Sequence, residues 1–148
     1  MSLKVELKPG ERMIIGNVLV TNGDQRARLF IDGRTPILRE KDILSPATAD
    51  SPAKRIYLAV QLMYLEQSVE AVRREYFALV NEMVAAAPST VKLIDQINNE
   101  ILTGSLYKAL KAAKKLIQYE EGILLNAASG GAAGVPAGGQ ADGKSARS

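Results

Sequence analysis

The hydrophobic period of this chain changes once, at the segment "SPATADSP" (45–52). Before that segment apolar residues alternate with charged ones, as in "LKVELK" at residues 3–8, which is the pattern of a half-buried strand. After it apolar residues recur three and four positions apart, which is the pattern of a helix. Strands and helices should therefore occupy separate stretches of the chain. The sequence predicts an α+β protein with the strands first and the helices after them.

The stretch before residue 45 predicts five short strands. They are "LKVELK", "RMIIGN", "VLVT", "RARLFI" and "ILREKDIL", separated by turn residues. Asn22-Gly23 suits a type I′ turn and predicts a hairpin, whereas Gly16 predicts a bulge or a close backbone approach. Short, closely spaced strands indicate a small N-terminal antiparallel β-barrel or sandwich. We assign residues 1–47 to this β-module.

Residues 48–125 predict a helical bundle of about four helices. Ser51 is a favourable N-cap, and Pro52 suits the first position of a helix. The segment "AKRIYLAVQLMYLEQ" is apolar nearly all round, so we expect that helix to be buried. The last helix is expected from Ser105 to about Leu125, with these residues facing inward: Leu106, Leu110, Ala113, Ile117 and Leu124. Short connections between the helices predict antiparallel neighbours.

The C-terminal stretch from Asn126 has almost no side chain large enough to bury, so residues 126–148 predict a disordered Gly/Ala-rich tail. No apolar run approaches the roughly 20 residues that span a bilayer. The first ten residues also lack the apolar run of a signal peptide. Because the chain has no cysteine, these features together predict a cytoplasmic protein with no membrane partner.

The composition argues against catalysis. The chain has neither histidine nor cysteine, which excludes thiol nucleophiles, serine-histidine triads and imidazole or thiolate metal sites. Glu120 and Glu121 are adjacent, so they point about 100° apart on a helix and do not form a two-carboxylate active site. The segment "GERMIIG" lacks the lysine-serine/threonine pair of a phosphate-binding loop. We predict no catalytic residues, no metal site and no cofactor.

Basic residues in the β-module are the main candidates for binding. The net charge is only +3, so contact with a polyanion would have to be local. Arg26, Arg28 and Phe30 lie two apart and would share one face of an extended chain. Arginine grips phosphate and stacks on bases, and an exposed ring stacks on an unpaired base. The candidate RNA-binding set is Lys8, Arg26, Arg28, Phe30, Arg34 and Arg39.

On pattern alone, a solvated strand face explains the same residues. Charged edge strands protect against aggregation, and Phe30 would then pack beneath the helices. A second basic group lies on the last helix, where Lys108, Lys111 and Lys115 share one face. For these lysines, with Lys114, the favoured interpretation is a polar surface whose cations suit the C-terminal half of a helix.

Several blocks of the sequence together resemble a known family. They include "LKVELKPGERMIIGN", "TNGDQRARLFIDG", "SPAKRIYLAVQLMYLE" and "ILTGSLYKALKAAKKLIQYEE". In order and spacing, residues 1 to about 125 resemble the flagellum biosynthesis repressor family FlbT of alphaproteobacteria. The resemblance implies a post-transcriptional regulator that associates with the 5′ untranslated region of flagellin mRNA and represses expression by promoting decay.

A weaker likeness lies within the β-module. "PGERMIIGN" and "PILREKDI" are similar to the opening and closing blocks of the carbon storage regulator family, whose interlocked β-dimers bind mRNA leaders. On that likeness Lys8 and Arg39 match basic positions, whereas Leu7 stands where that family has a second arginine. The two resemblances together favour an RNA surface over a solubility device for the strand "RARLFI", which carries Arg26, Arg28 and Phe30 and which we call the arginine strand.

Two functions stay open at this point. In the first, the β-module contacts the flagellin mRNA leader, while the helical module recruits a partner or stabilises a homodimer. In the second, the helical bundle is a protein-binding module that holds flagellin or another flagellar regulatory protein in an apolar groove. The effect on mRNA would then be indirect. Direct enzymatic action on RNA is disfavoured because no catalytic set is present.

Overall fold

The computed structural model describes residues 2–131 of the chain, and side chains as far as residue 126. In this part of the chain five strands precede four α-helices, which confirms the predicted α+β class. The strands are β1 (Ser2–Leu7), β2 (Arg12–Ile15), β3 (Val18–Thr21), β4 (Ala27–Asp32) and β5 (Ile37–Arg39). The helices are α1 (Pro52–Glu66), α2 (Arg73–Ala86), α3 (Val91–Leu102) and α4 (Leu106–Gly131). Short 3₁₀ turns lie at Glu40–Asp42, Glu70–Val72 and Pro88–Thr90.

The strands form two open antiparallel sheets rather than a closed barrel. β1 pairs with β4 in one sheet, and the other has the order β3-β2-β5. The sheets share a small core around Val5, Leu7 and Met13, to which partly buried side chains of β3, β4 and β5 contribute. Alternate residues of β4 face this core, as the period-two pattern predicts.

The hairpin predicted at Asn22-Gly23 is wrong, because β3 and β4 belong to different sheets. Neither residue adopts the positive φ that a type I′ turn requires. Instead the Asn22 amide donates to the carbonyls of Leu7, Lys8 and Gln25, at 3.2, 2.8 and 2.8 Å. Asn22 therefore ties the crossing between the sheets to the end of β1.

The hairpin in this region joins β2 to β3 through Gly16. Gly16 has a φ of +65°, and its backbone N–H donates to the Pro36 carbonyl at 2.7 Å. A Cβ at this position would lie 2.7 Å from Thr35 Oγ1. The close backbone approach predicted at Gly16 is confirmed.

The helices enclose the main hydrophobic core. α1 packs against α2 and α4, and α3 packs against α4. Fully buried side chains include Ile56 and Val60 of α1, Tyr76 of α2 and Ile97 of α3. As expected for its N-cap, the Ser51 hydroxyl accepts a hydrogen bond from the Lys54 N–H at 3.2 Å.

α4 differs from its prediction in length and in the face it buries. It continues to Gly131 rather than ending near Leu125, and the rest of the predicted disordered tail, residues 132–148, lies outside the described residues. Leu124, predicted to face inward, is 59% exposed, whereas Leu116 is fully buried. None of residues 121–126 is buried, because the packed part of α4 ends at Glu120. Across residues 2–131, no helix is both long and apolar enough to cross a membrane.

One polar face of α1 fixes the β-module to the helices. The Tyr64 hydroxyl donates to the Ile37 carbonyl and accepts from the Ile37 N–H, both at 3.0 Å. Gln61 bonds the N–H and the carbonyl of Leu44, each at 2.9 Å, and the Tyr57 hydroxyl donates to the Asp42 carbonyl at 2.5 Å. Burial raises the pKa of Tyr57 and of Tyr64, which keeps both phenols protonated as donors.

These three side chains give segment 37–44 the backbone hydrogen bonds that a neighbouring strand would otherwise supply. Leu38 of β5 is buried in the helical core and Ile14 of β2 packs against that core, whereas Met13, Ile15, Val20 and Ile37 of the same sheet face the smaller core. The two modules are therefore joined along β5 and the 3₁₀ turn that follows it.

Candidate nucleic-acid interface

The outer face of the β1–β4 sheet brings together an aromatic ring and two cations. In the register of this pair, Lys4 lies opposite Phe30 and Glu6 lies opposite Arg28. The Phe30 side chain is 64% exposed, so it does not pack beneath the helices as the solvated-face interpretation requires. An exposed ring thus lies next to two basic side chains, one across the strand pair and one along the strand, on a surface that we call the β1–β4 face, defined by Lys4, Glu6, Arg28 and Phe30.

The one ion pair on this face is weak. Arg28 Nη2 lies 3.6 Å from Glu6 Oε2, and both side chains are more than half exposed. Pairs of this kind contribute little, because water screens them and the side chains lose freedom. A phosphate group could therefore displace the carboxylate from the Arg28 guanidinium at small cost.

Three other predicted residues are exposed but are not strand residues. Arg26 precedes β4, and the pairing of β4 with β1 ends at Ala27. Arg26 therefore lies outside the sheet and does not share the outer face of β4 with Arg28 and Phe30 as predicted. Lys8 follows β1, and its backbone N–H donates to Glu11 Oε1 at 2.8 Å. Arg34 lies in the connection between β4 and β5. Among the described residues, none of the three forms a salt bridge.

Arg39 has a structural contact that the sequence pattern does not show. Its Nη2 donates to the Glu6 carbonyl at 2.8 Å and lies 3.3 Å from Glu11 Oε2. The hydrogen bond from the Lys8 N–H lowers the pKa of Glu11, and the Arg39 guanidinium lowers it further. Arg39 therefore clamps β1 and the turn after it to β5.

A cavity of about 290 Å³ lies between β5, the 3₁₀ turn after it and α4. We call it the basic groove; its charged and aromatic lining comprises Arg39, Lys41, Asp42, Tyr57, Tyr107, Lys111 and Lys114. Lys114 Nζ is 2.6 Å from Asp42 Oδ1, and Lys111 Nζ lies 5.2 Å from the centroid of the Tyr107 ring. Two of the α4 lysines thus contact other groups instead of forming a simple solvated face.

Sequence reasoning identified the α4 lysines but not what they face. The spacing of Tyr107 and Lys111, four residues apart on a helix, is the local signal that was available. The approach of Lys114 to Asp42 joins positions 72 residues apart, so no local pattern indicates it.

The most buried carboxylate of the described chain is committed to structure. Glu120 is 7% exposed and accepts hydrogen bonds from the Ser51 hydroxyl at 2.5 Å and the Ala53 N–H at 3.0 Å. Glu120 of α4 thereby accepts from a backbone N–H in the first turn of α1 that has no partner within that helix. Within residues 2–131, no group of three His, Cys, Asp or Glu side chains is placed to hold a metal ion.

Comparison with known proteins identifies the family of the chain. The family model described as "Flagellar protein FlbT" matches residues 3–124. The chain belongs to the FlbT family. That membership confirms the resemblance stated from the sequence blocks. The matched segment contains the residues of the β1–β4 face and all residues that line the basic groove.

FlbT relatives cover most of the chain. It is 60% identical over 122 residues to the "Probable flagellum biosynthesis repressor protein FlbT 1" of Bradyrhizobium diazoefficiens, which covers 82% of this chain and 84% of that protein. It is 49% identical over 124 residues to a relative from Rhodopseudomonas palustris, covering 84% of this chain and 98% of the relative. The "Flagellum biosynthesis repressor protein FlbT" of Caulobacter vibrioides is 38% identical over 141 residues, covering 93% of this chain and 100% of that protein. No solved structure matches the chain.

Proposed function

We propose that this FlbT chain represses flagellum biogenesis after transcription, by associating in the cytoplasm with the 5′ untranslated region of flagellin mRNA and promoting its decay. The names of its relatives support the repression of flagellum biosynthesis. The chemistry of the β1–β4 face supports the contact with RNA.

The observation that carries the proposal is the exposed Phe30 ring beside Lys4 and Arg28. An aromatic ring on an open sheet face can stack on an unpaired base, which contributes about 1–3 kcal/mol per base. Lysine and arginine beside it can hold the phosphates that flank that base. Single-stranded leaders expose such bases, whereas base-paired RNA does not.

The modest charge of the chain limits the number of phosphate contacts. With a net charge of +3, affinity would come from a few cations together with stacking. For single strands, the slope of log affinity against log salt concentration is about −0.7 per neutralised phosphate. We therefore expect the affinity to fall only gently with salt concentration, with the slope that a few neutralised phosphates give. A strongly basic coating protein would show a steeper slope.

The test is direct binding of the purified full chain to a fluorescently labelled flagellin leader RNA, measured by anisotropy at two salt concentrations. Phe30→Ala should weaken binding by about 1–3 kcal/mol without changing the salt slope, because stacking is lost and no charge is removed. Arg28→Ala should weaken binding and flatten the slope. Phe77→Ala, at an exposed phenylalanine of α2, and Lys92→Ala on α3 are controls that should leave binding unchanged.

A specific observation also supports the protein-binding alternative. A cavity of about 380 Å³ lies between α1 and α2, with an apolar lining that includes Leu58, Leu62, Val72 and Leu79. Absence of leader binding by the parent chain, combined with loss of repression in cells carrying Leu62→Asp, would favour this alternative. Loss of binding in Phe30→Ala with repression unaffected by Leu62→Asp would favour direct RNA contact.

A further inference from the structure

We infer that the basic groove is a second RNA subsite, which binds one nucleotide of the same single strand that stacks on the β1–β4 face. The inference rests on the proposed function and deepens it, because it assigns RNA contact to α4 as well as to the β-module.

The charges of the groove favour an anion. Four cationic side chains line it, and Asp42 is the one carboxylate in the lining. Lys114 is paired with Asp42, and Arg39 is paired with Glu11. Lys41 and Lys111 form no salt bridge among the described residues, so two positive charges are left to receive a phosphate.

The aromatic lining favours a nucleotide over a simple anion. The Tyr107 side chain is 48% exposed, and its ring packs against that of Tyr64, with the centroids 5.6 Å apart and the planes at 46°. The Lys111 ammonium lies 5.2 Å from the centroid of the Tyr107 ring, at the end of a flexible side chain. A base can take the place of the ammonium group on the ring while Lys111 turns to the phosphate. A volume of about 290 Å³ is at the small end of ligand sites, which suits one nucleotide.

Glu6 connects the groove to the β1–β4 face. Its carboxylate pairs with Arg28 on that face, and its backbone carbonyl accepts from Arg39, which lines the groove. Glu6 of the β1–β4 face and Arg39 of the groove are thus in direct contact. This continuity favours a chain of nucleotides, which can contact both surfaces, over an isolated small anion.

The matched comparison uses two double variants of α4 with the same change in charge. Lys111→Ala/Lys114→Ala removes two groove cations, and Lys108→Ala/Lys115→Ala removes two exposed lysines of the same helix that do not line the groove. With labelled flagellin leader RNA, the groove variant should bind about tenfold more weakly than the control variant and should show a flatter salt dependence. Equal affinities for the two variants would overturn the inference.

Asp42→Asn separates loss of groove charge from loss of the Lys114 ion pair. This variant breaks the same pair but removes the one negative charge of the groove lining, so leader binding should be maintained or strengthened. If Asp42→Asn weakened binding as much as Lys111→Ala/Lys114→Ala, the effect would be structural and the inference would fall.

A spectroscopic measurement locates the RNA. The chain has no tryptophan, so Tyr107→Trp introduces a single tryptophan into the groove, and Tyr119→Trp introduces one elsewhere on α4 as a control. Saturating leader RNA should quench the emission of Tyr107→Trp and leave that of Tyr119→Trp unchanged. Binding by anisotropy without quenching in Tyr107→Trp overturns the groove subsite and leaves the proposed function intact. Absence of any leader binding by the parent chain overturns both.

Discussion

Replacing Glu120 by alanine is expected to destabilise the fold by about 3–5 kcal/mol. Glu120 is almost fully buried and accepts two hydrogen bonds at the start of α1, from the Ser51 hydroxyl and the Ala53 N–H. Hydrogen bonds to charged groups contribute about 1.5–3 kcal/mol each, so the pair amounts to about 3–6 kcal/mol. We expect a loss below the upper end of that range, because in Glu120→Ala the Ser51 hydroxyl can turn and donate to another acceptor.

The measurement is equilibrium unfolding in urea, followed by circular dichroism. Glu121→Ala is the matched control, because the neighbouring side chain is exposed and the change in charge is the same. That control should alter the free energy of unfolding by no more than about 0.5 kcal/mol. Glu120→Gln should be intermediate, because one amide oxygen can replace only one of the two acceptors.

The reasoning would be refuted if Glu120→Ala and Glu121→Ala unfolded at the same urea concentration with unchanged m-values. Equal midpoints would mean that the buried carboxylate contributes nothing beyond its own desolvation cost. A lower midpoint with a changed m-value would point instead to an altered unfolded state.

Three further predictions concern stability. Gly16→Ala should cost more than Gly10→Ala, by about 1–2 kcal/mol in urea unfolding, because both glycines have positive φ but only at Gly16 would a Cβ meet a side-chain oxygen at 2.7 Å. Leu116→Ala should cost about 3–5 kcal/mol and Ile117→Ala clearly less, because the former is fully buried and the latter half-buried; equal losses would contradict this phase of α4. In the folded chain the pKa of Glu11 lies below its ordinary value of 4.5. The Glu11 carboxylate therefore stabilises the fold above pH 4.5, and this stabilisation is lost as the pH falls through the lowered pKa of the folded state. The melting temperature of Glu11→Gln should therefore fall less than that of the parent when the pH is lowered from about 6 to 3.

Features that depend on local alternation were predictable from the sequence. The outward positions of Arg28 and Phe30 follow from period two, and the N-cap at Ser51 follows from local chemistry. The prediction of a hairpin at Asn22-Gly23 was wrong because the Asn22 side chain donates hydrogen bonds to carbonyl groups of distant and neighbouring segments. These tertiary contacts override the turn preference of the Asn-Gly pair.

Features that join distant segments were not predictable in this way. Glu120 and Glu121 are equivalent in sequence, and only the position of α1 determines which one is buried. The same applies to the basic groove, whose lining comes from β5 with its 3₁₀ turn, from Tyr57 of α1 and from α4. Sequence spacing predicted a lysine face on α4, but a groove exists only because α1 holds the β-module against that helix.

That arrangement bears on where the proposed RNA-binding activity resides. The Tyr57, Gln61 and Tyr64 side chains of α1 bond the backbone of segment 37–44, the segment that carries Arg39 and Lys41 to the groove. A nucleotide in the groove would contact this segment and α4 at once, and it would stabilise their junction by its binding free energy. Separating the two modules at residues 45–52 would leave the β1–β4 face in one fragment and divide the groove between the two. Because the groove needs both fragments, we expect the proposed RNA binding to require the intact chain, in which the arginine strand and α4 contact the same strand of RNA.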